Sequence, residues 1–168
     1  MRYAPAAVAL SLLAALPASA SWSAPSEPLN PRAAALVGQG RGELAAGNVA
    51  GATDAFEAAL TIQPGNPAVL LELGEAARRD GMQGKALHYY RKALEVDPAN
   101  LLAISGEGAA LVEKGAVEKA RRNLSRLQGL CGNSCEATRQ LAAAIARGPA
   151  PRVVTAEAVR PEPTVSDN

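Results

Sequence analysis

The sequence has few of the side chains from which active sites are usually built. Its 168 residues include one histidine, His88, and two cysteines, and aromatic residues make up only 3%. The single histidine lies on a predicted polar helix face, which does not favour a Ser-His-Asp set, and it cannot complete an ordinary zinc site with two distant cysteines. No phosphate-binding loop of the G-x-x-x-x-G-K-[ST] type occurs either. The composition therefore predicts a protein that is not an enzyme and holds no cofactor or metal.

An excess of charge of either sign is also missing. The 17 basic and 16 acidic side chains give a net charge of +1, and loss of Arg2 with an N-terminal leader would leave 16 of each. Nucleic-acid binding depends on a basic face that releases counterions, and anionic membranes attract polybasic segments. The balance argues against both kinds of partner.

A hydrophobic run long enough to span a membrane is absent, but a shorter one lies at the N-terminus. Residues 1–20 combine a positive start, an apolar run from Ala6 to Leu16, and the sequence Ala18-Ser19-Ala20. These are the features of a secretory signal peptide, with cleavage predicted after Ala20 and a periplasmic or secreted product. An uncleaved anchor is the alternative, although the run is short for a bilayer core of about 30 Å. We expect no stable membrane insertion after cleavage.

The chain does have an internal repeat with a period of 34 residues. Small and large residues recur in register, as in Gly40/Gly74/Gly108, Gly47/Gly81/Gly115, Ala52/Ala86/Ala120, Phe56/Tyr90/Leu124 and Leu36/Leu70/Ile104. Small residues allow antiparallel helices to approach closely, and the large ones fill the space between successive pairs. Each repeat is therefore predicted to be a pair of packed helices.

The helix boundaries follow from capping residues and prolines. Asn66 can cap a helix that starts at Pro67, and Asp97-Pro98 ends the following one. The predicted helices are 31–46, 50–62, 67–80, 84–96, 101–114 and 117–130. A seventh, 135–147, has Leu141, Ala144 and Ile145 at helical spacing and is predicted to cap the exposed end of the array.

The period and residue order resemble the tetratricopeptide repeat over roughly residues 33–134. The resemblance implies an all-α fold, a right-handed helical solenoid of three helix hairpins plus a C-terminal capping helix, with disordered tails. The expected segments are a signal peptide 1–20, a flexible lead-in 21–32, repeats 33–66, 67–100 and 101–134, a capping helix 135–147 and a disordered tail 148–168.

Cys131 and Cys135 lie at the turn between the third repeat and the capping helix. In an oxidising compartment two cysteines this close in sequence are expected to form a disulfide. Free or regulatory thiols and a metal site remain the alternatives.

In proteins of this family the first helix of each repeat lines a concave groove, which implies the binding surface here. By register the groove residues would be Val37, Arg41, Leu44, Leu71, Glu75, Arg78, Arg79, Ser105, Ala109 and Val112. The set combines apolar patches with a basic centre at Arg41, Arg78 and Arg79, which suits an acidic and apolar peptide or helix. The alternatives are a groove partly filled by the chain's own tail, or a merely solvated one.

The resemblance implies a non-catalytic adaptor that binds a peptide or helix of an envelope protein, such as a secretion or pilus-assembly partner. One alternative is a structural protein that associates with itself as a homo-oligomer, and another is an accessory subunit of an envelope enzyme. Trp22, the sole tryptophan, is either a docking anchor or a residue with no fixed role.

Overall fold

The computed structural model describes residues 28–149, which form seven α-helices and no strand. The helices are α1 (Pro31–Ala45), α2 (Val49–Ile62), α3 (Pro67–Arg79), α4 (Gln83–Val96), α5 (Leu101–Glu113), α6 (Val117–Cys131) and α7 (Glu136–Arg147). Every helix end lies within one residue of its expected position. Helix α1 begins at Pro31, two residues before the expected start of the first repeat. The predicted signal peptide and nearly all of the predicted tail lie outside the described residues.

The first helix of each pair begins after an asparagine that caps it. The side-chain oxygens of Asn30, Asn66 and Asn100 accept hydrogen bonds from backbone N–H groups in the first turns of α1, α3 and α5. Such caps satisfy donors that have no partner inside the helix. In α1 and α3 the next residue is proline, whose missing N–H costs nothing at that position.

The turn inside each helix pair depends on a glycine. Gly47, Gly81 and Gly115 have φ angles of 82°, 74° and 84°, a left-handed conformation that side chains disfavour. These are the repeated glycines of one register series, so the 34-residue period reflects a backbone requirement at this turn.

A second glycine series makes room for large side chains. A Cβ atom at Gly40 would lie 2.4 Å from Phe56 Cε1, and one at Gly74 would lie 2.7 Å from Tyr90 Cε1. At Gly108 the neighbour is Leu141 of α7, at 2.6 Å, and not Leu124 of the same repeat. The last helix therefore supplies the packing that the third repeat lacks.

The helix pairs stack as a solenoid with a concave and a convex face. Helix α1 contacts α3, α3 contacts α5, and α5 contacts α7, whereas the second helices α2, α4 and α6 do not contact one another. The first helices are thus closer together and line the concave face. Helix α7 packs on both α5 and α6, in the place that the first helix of a further repeat would take.

Leu127 and Leu141 are fully buried in the same core cluster. Leu127 stands where the first two repeats have alanine, and packing with Leu141 of α7 accounts for this larger side chain. Ser105 Oγ also donates a hydrogen bond to the carbonyl oxygen of Ala137 at 3.2 Å, joining α5 to α7. Cys131 and Cys135 form a disulfide across the α6–α7 turn, with Cα atoms 5.7 Å apart.

None of the helices between residues 28 and 149 is long and apolar enough to cross a membrane.

Candidate functional site: the concave groove

A hollow of about 340 Å³ opens on the concave face between α3, α5 and α7. Helix α3 contributes Leu71, Glu72, Glu75 and Arg78, α5 contributes Leu102, Ser105, Gly106 and Ala109, and α7 contributes Gln140, Ala144 and Arg147. A second hollow shares Arg78, Ala109, Ala144 and Arg147 and continues to Gly148 and Pro149. We call these two connected hollows the concave groove.

Tyr90 of α4 forms part of the floor of the groove. Its ring lies beside Gly74 of α3 and Gly106 of α5, where added Cβ atoms would come within 2.7 and 2.4 Å of the ring. The two glycines therefore allow a side chain from the convex helix layer to reach the concave side. Burial raises the pKa of the Tyr90 phenol, and the charge of Glu75 adds to the effect. The floor consequently carries a neutral hydroxyl at physiological pH.

Arg78 is the centre of an ion-pair network inside the groove. Its Nη2 lies 2.8 Å from Glu75 Oε2, and its Nη1 lies 2.5 Å from Glu113 Oε1. Burial lowers the pKa of Arg78, but the charges and hydrogen bonds of Glu75 and Glu113 outweigh it and raise the pKa overall. The network joins α3 to α5, so Arg78 fixes two walls of the groove relative to each other.

The predicted basic centre needs correction, because each of its arginines is paired with a carboxylate. Arg41 Nη2 lies 2.5 Å from Glu72 Oε1, and Arg79 Nε lies 2.8 Å from Glu75 Oε1. With Arg78 also paired, the predicted basic centre is neutralised. Neither Arg41 nor Arg79 lines the hollows described above.

Of the ten predicted groove residues, six line the groove: Leu71, Glu75, Arg78, Ser105, Ala109 and Val112. Val37 and Leu44 do not, since they are 2% and 7% exposed and belong to the core under α1 and α2. The same core cluster contains buried residues of both α2 and α3. Val37 and Leu44 have the same repeat positions as Leu71 and Arg78, which do line the groove, so the difference comes from the neighbouring helices that cover them and not from the register.

Two of these six residues line the groove but are almost completely buried. Ser105 is buried and uses its hydroxyl to bind Ala137. Val112 is 2% exposed and packs in the core shared by α5 and α7. Both contacts exist because α7 covers this side of α5, so these residues offer little surface to a ligand.

Sequence reasoning missed the wall that α7 contributes. Gln140, Ala144 and Arg147 occur 35 residues after Ser105, Ala109 and Val112, one residue beyond the repeat period. Helix α6 extends to Cys131, and the Cys131–Cys135 turn supplies the additional residue. A search that allowed a one-residue shift would have identified α7 as a fourth concave helix.

Arg147 differs from the other groove arginines. Its exposed guanidinium lines both hollows and forms no ion pair with any residue between 28 and 149. It is therefore the groove cation that is available to an incoming carboxylate.

His88 lies on the exposed surface of α4, and its ring is edge-on to the Tyr89 ring, with centroids 5.7 Å apart. Across the part of the chain that the structure describes, no three His, Cys, Asp or Glu side chains are grouped so that they would hold a metal ion.

Comparison with known proteins identifies the repeat directly. The family model of the tetratricopeptide repeat matches residues 67–100. The Protein CTR9 homolog of Arabidopsis thaliana is 36% identical over 75 residues, which is 45% of this chain. The chain spans only 7% of the length of that relative.

Solved structures show the same architecture. The Sgt2 TPR domain from Aspergillus fumigatus superposes with a TM-score of 0.63 at 25% identity, over 83% of this chain and 91% of that domain. The first TPR of Spaghetti (RPAP3), solved with the HSP90 peptide SRMEEVD, gives a TM-score of 0.62 at 24% identity, over 69% and 91%. The chain is thus an all-α, TPR-like helical solenoid with a tetratricopeptide repeat at residues 67–100.

Proposed function

We propose that this protein is a non-catalytic adaptor that binds an extended or helical segment of another protein in the concave groove. The observation that carries the proposal is the combination of accessible apolar side chains with one cation that forms no ion pair within residues 28–149. Leu102, 63% exposed at the start of α5, and Leu71 of α3 lie in the same hollow as Arg147. Large apolar side chains exposed beside polar groups are typical of interaction sites.

The groove favours a ligand with an apolar residue followed by a carboxylate. The apolar residue would pack against Leu71 and Leu102, and the carboxylate would accept charge-assisted hydrogen bonds from Arg147. The Arg78 network would hold α3 and α5 in place, so little reorganisation would oppose binding.

The fold is consistent with such a role. Helical-repeat solenoids use their concave surfaces for binding. The Spaghetti domain, which has this fold, was solved with a bound peptide. We extend peptide binding to this chain as a proposal, because at 24% identity the likeness covers the fold alone.

We further propose that the adaptor acts in the cell envelope, on a secretion or pilus-assembly partner. Two observations support export: the signal-like sequence of residues 1–20 and the Cys131–Cys135 disulfide, a bond that persists mainly in oxidising compartments. N-terminal sequencing of the exported protein should read Ser-Trp-Ser. A membrane-bound product that retains Met1 would contradict soluble export.

Site-specific photo-crosslinking in envelope extracts tests the groove. A photoreactive residue at Leu102 should capture the partner, whereas one at His88, exposed on the convex helix α4, should not. Capture at both positions, or only at His88, would contradict binding in the groove.

A charge reversal tests the role of Arg147. Arg147→Glu should weaken partner binding about tenfold, equivalent to about 1.4 kcal/mol. The matched control is Arg122→Glu on α6, another exposed arginine without an ion pair among residues 28–149. Equal loss of binding in the two variants would show that net charge, and not the groove, governs capture.

A further inference from the structure

The N-terminal end of the solenoid carries an apolar cleft of about 480 Å³ between α1 and α2. Ala35, Leu36, Ala58 and Ile62 line it, and the side chains of Arg32 and Gln39 complete the lining. At the opposite end α7 covers α5 and α6, but no helix within residues 28–149 covers this cleft. Solenoids need their apolar ends covered to remain soluble.

The chain that enters α1 is fixed beside this cleft. The Gln63 side chain accepts a hydrogen bond from Asn30 N at 2.9 Å and donates one to the Pro28 carbonyl oxygen at 3.3 Å. Leu29 between them is half-buried and packs against the core of the first repeat. Two backbone anchors and one apolar contact thus fix the path of the chain just before α1.

These anchors lie at the edge of the cleft. Pro28 and Ile62 line one shallow hollow, and Ile62 also lines the cleft. A chain that continues backward from Pro28 therefore starts at the edge of an apolar surface.

Trp22, the sole tryptophan, lies six residues before Pro28. Six residues span up to roughly 20 Å, which exceeds the 8–10 Å between the axes of packed helices. Removal of a signal peptide after Ala20 would leave this residue in the chain. We infer that residues 21–27 of the lead-in fold back over Ile62 and place the Trp22 indole in the cleft between α1 and α2.

The chemistry of the cleft suits an indole. A tryptophan buries roughly 150–250 Å² of surface, most of it apolar. Arg32 forms no ion pair with any residue of the described range, so its guanidinium is available to stack on the ring. The lead-in would then close the N-terminal end as α7 closes the other. It would also prevent a second copy from stacking there. The inference does not depend on groove binding, because no residue that lines the cleft also lines the groove.

Intrinsic fluorescence tests the inference in the full chain, because all tryptophan emission comes from Trp22. We expect blue-shifted emission and weak acrylamide quenching that do not change with protein concentration. Ala58→Glu should place a charge in the cleft and raise the quenching constant to that of the urea-unfolded chain. The control is Ala142→Glu, the same change at an exposed alanine of α7, which should leave the fluorescence unchanged.

A second variant covers the case in which Ala58→Glu disturbs α2. Trp22→Ser changes no residue of the seven helices, so it should keep the helical circular dichroism while increasing binding of the dye ANS to the uncovered cleft. Emission that is already red-shifted and fully quenched in the unmodified chain would overturn the inference. Protection that disappears on dilution would also overturn it, because it would mean that a second copy covers the cleft.

Discussion

At the scale of single residues, equivalent repeat positions differ according to what packs beside them. Gly38 and Gly106 occupy the same position in α1 and α5. A Cβ at Gly106 would lie 2.4 Å from the Tyr90 ring, whereas a Cβ at Gly38 would meet no atom within 4 Å. The difference arises because a preceding repeat supplies Tyr90 to α5, whereas no preceding repeat packs on α1 within residues 28–149. The 34-residue alignment treats both glycines alike and cannot distinguish them.

The two glycines should therefore respond in opposite directions to alanine. Gly106→Ala should destabilise the protein by about 1–3 kcal/mol, because its Cβ would displace the Tyr90 ring. Gly38→Ala should stabilise it by about 0.5–1 kcal/mol, because alanine loses less entropy in a helix. Urea denaturation checks both values. Stabilisation by both changes would show that Tyr90 does not occupy the gap beside Gly106.

Tyr90 should also make stability fall at alkaline pH. Because burial holds its pKa above the ordinary value of 10.0, the folded state keeps its proton where the unfolded state loses it. The stabilisation that the protonated Tyr90 side chain contributes is complete below about pH 10, and it should decrease by about 1.4 kcal/mol per pH unit above that pH. Denaturation of the wild type and Tyr90→Phe between pH 9 and 11 measures this slope. A slope that is equally steep in Tyr90→Phe would assign the loss to other groups.

At the scale of elements, the sequence predicted all seven helices but assigned too small a role to the last. The period, the asparagine caps and the turn glycines determine where the helices lie, and each of these signals is local. Groove membership depends on which neighbour covers each helix face. Val37 and Leu44 were misassigned for this reason, and Gln140 and Arg147 were missed because the turn before α7 adds one residue to the period.

The disulfide should control the stability of α7 more than that of the other helices. It closes a loop of five residues, which corresponds to about 2 kcal/mol in the chain-entropy treatment. Reduction, or the double change Cys131→Ser and Cys135→Ser, should speed amide exchange in α7 first. Exchange in α3 and α4 serves as the internal control and should stay slow. Faster exchange throughout the solenoid would contradict a local role for the bond.

At the scale of the whole molecule, the solenoid has no single centre. Its buried residues form one cluster under α1 and α2 that extends to α3, another that runs mainly from α4 to α7, and a small third one of Leu70, Ala93 and Ala103 between α3, α4 and α5. Each helix pair contacts only its neighbours, so stability is expected to be a sum of local terms and neighbour contacts. The Arg78–Glu113 pair is one of the few polar links between first helices, and it lies in the groove. Binding in the groove would therefore also couple the two halves of the solenoid.

Matched cavity-forming substitutions at the two ends of the solenoid test whether its stability is a sum of local terms. Phe56 and Leu127 are both fully buried, the first in the α1–α3 cluster and the second in the α4–α7 cluster. Phe56→Ala should cost about 3–5 kcal/mol and Leu127→Ala about 2–5 kcal/mol. Because contacts run only between neighbours, Phe56→Ala should speed amide exchange mainly in α1 and α2, and Leu127→Ala mainly in α6 and α7. Should either variant speed exchange equally along residues 28–149, the solenoid unfolds as one cooperative unit, and the groove cannot be strengthened or weakened from one end alone.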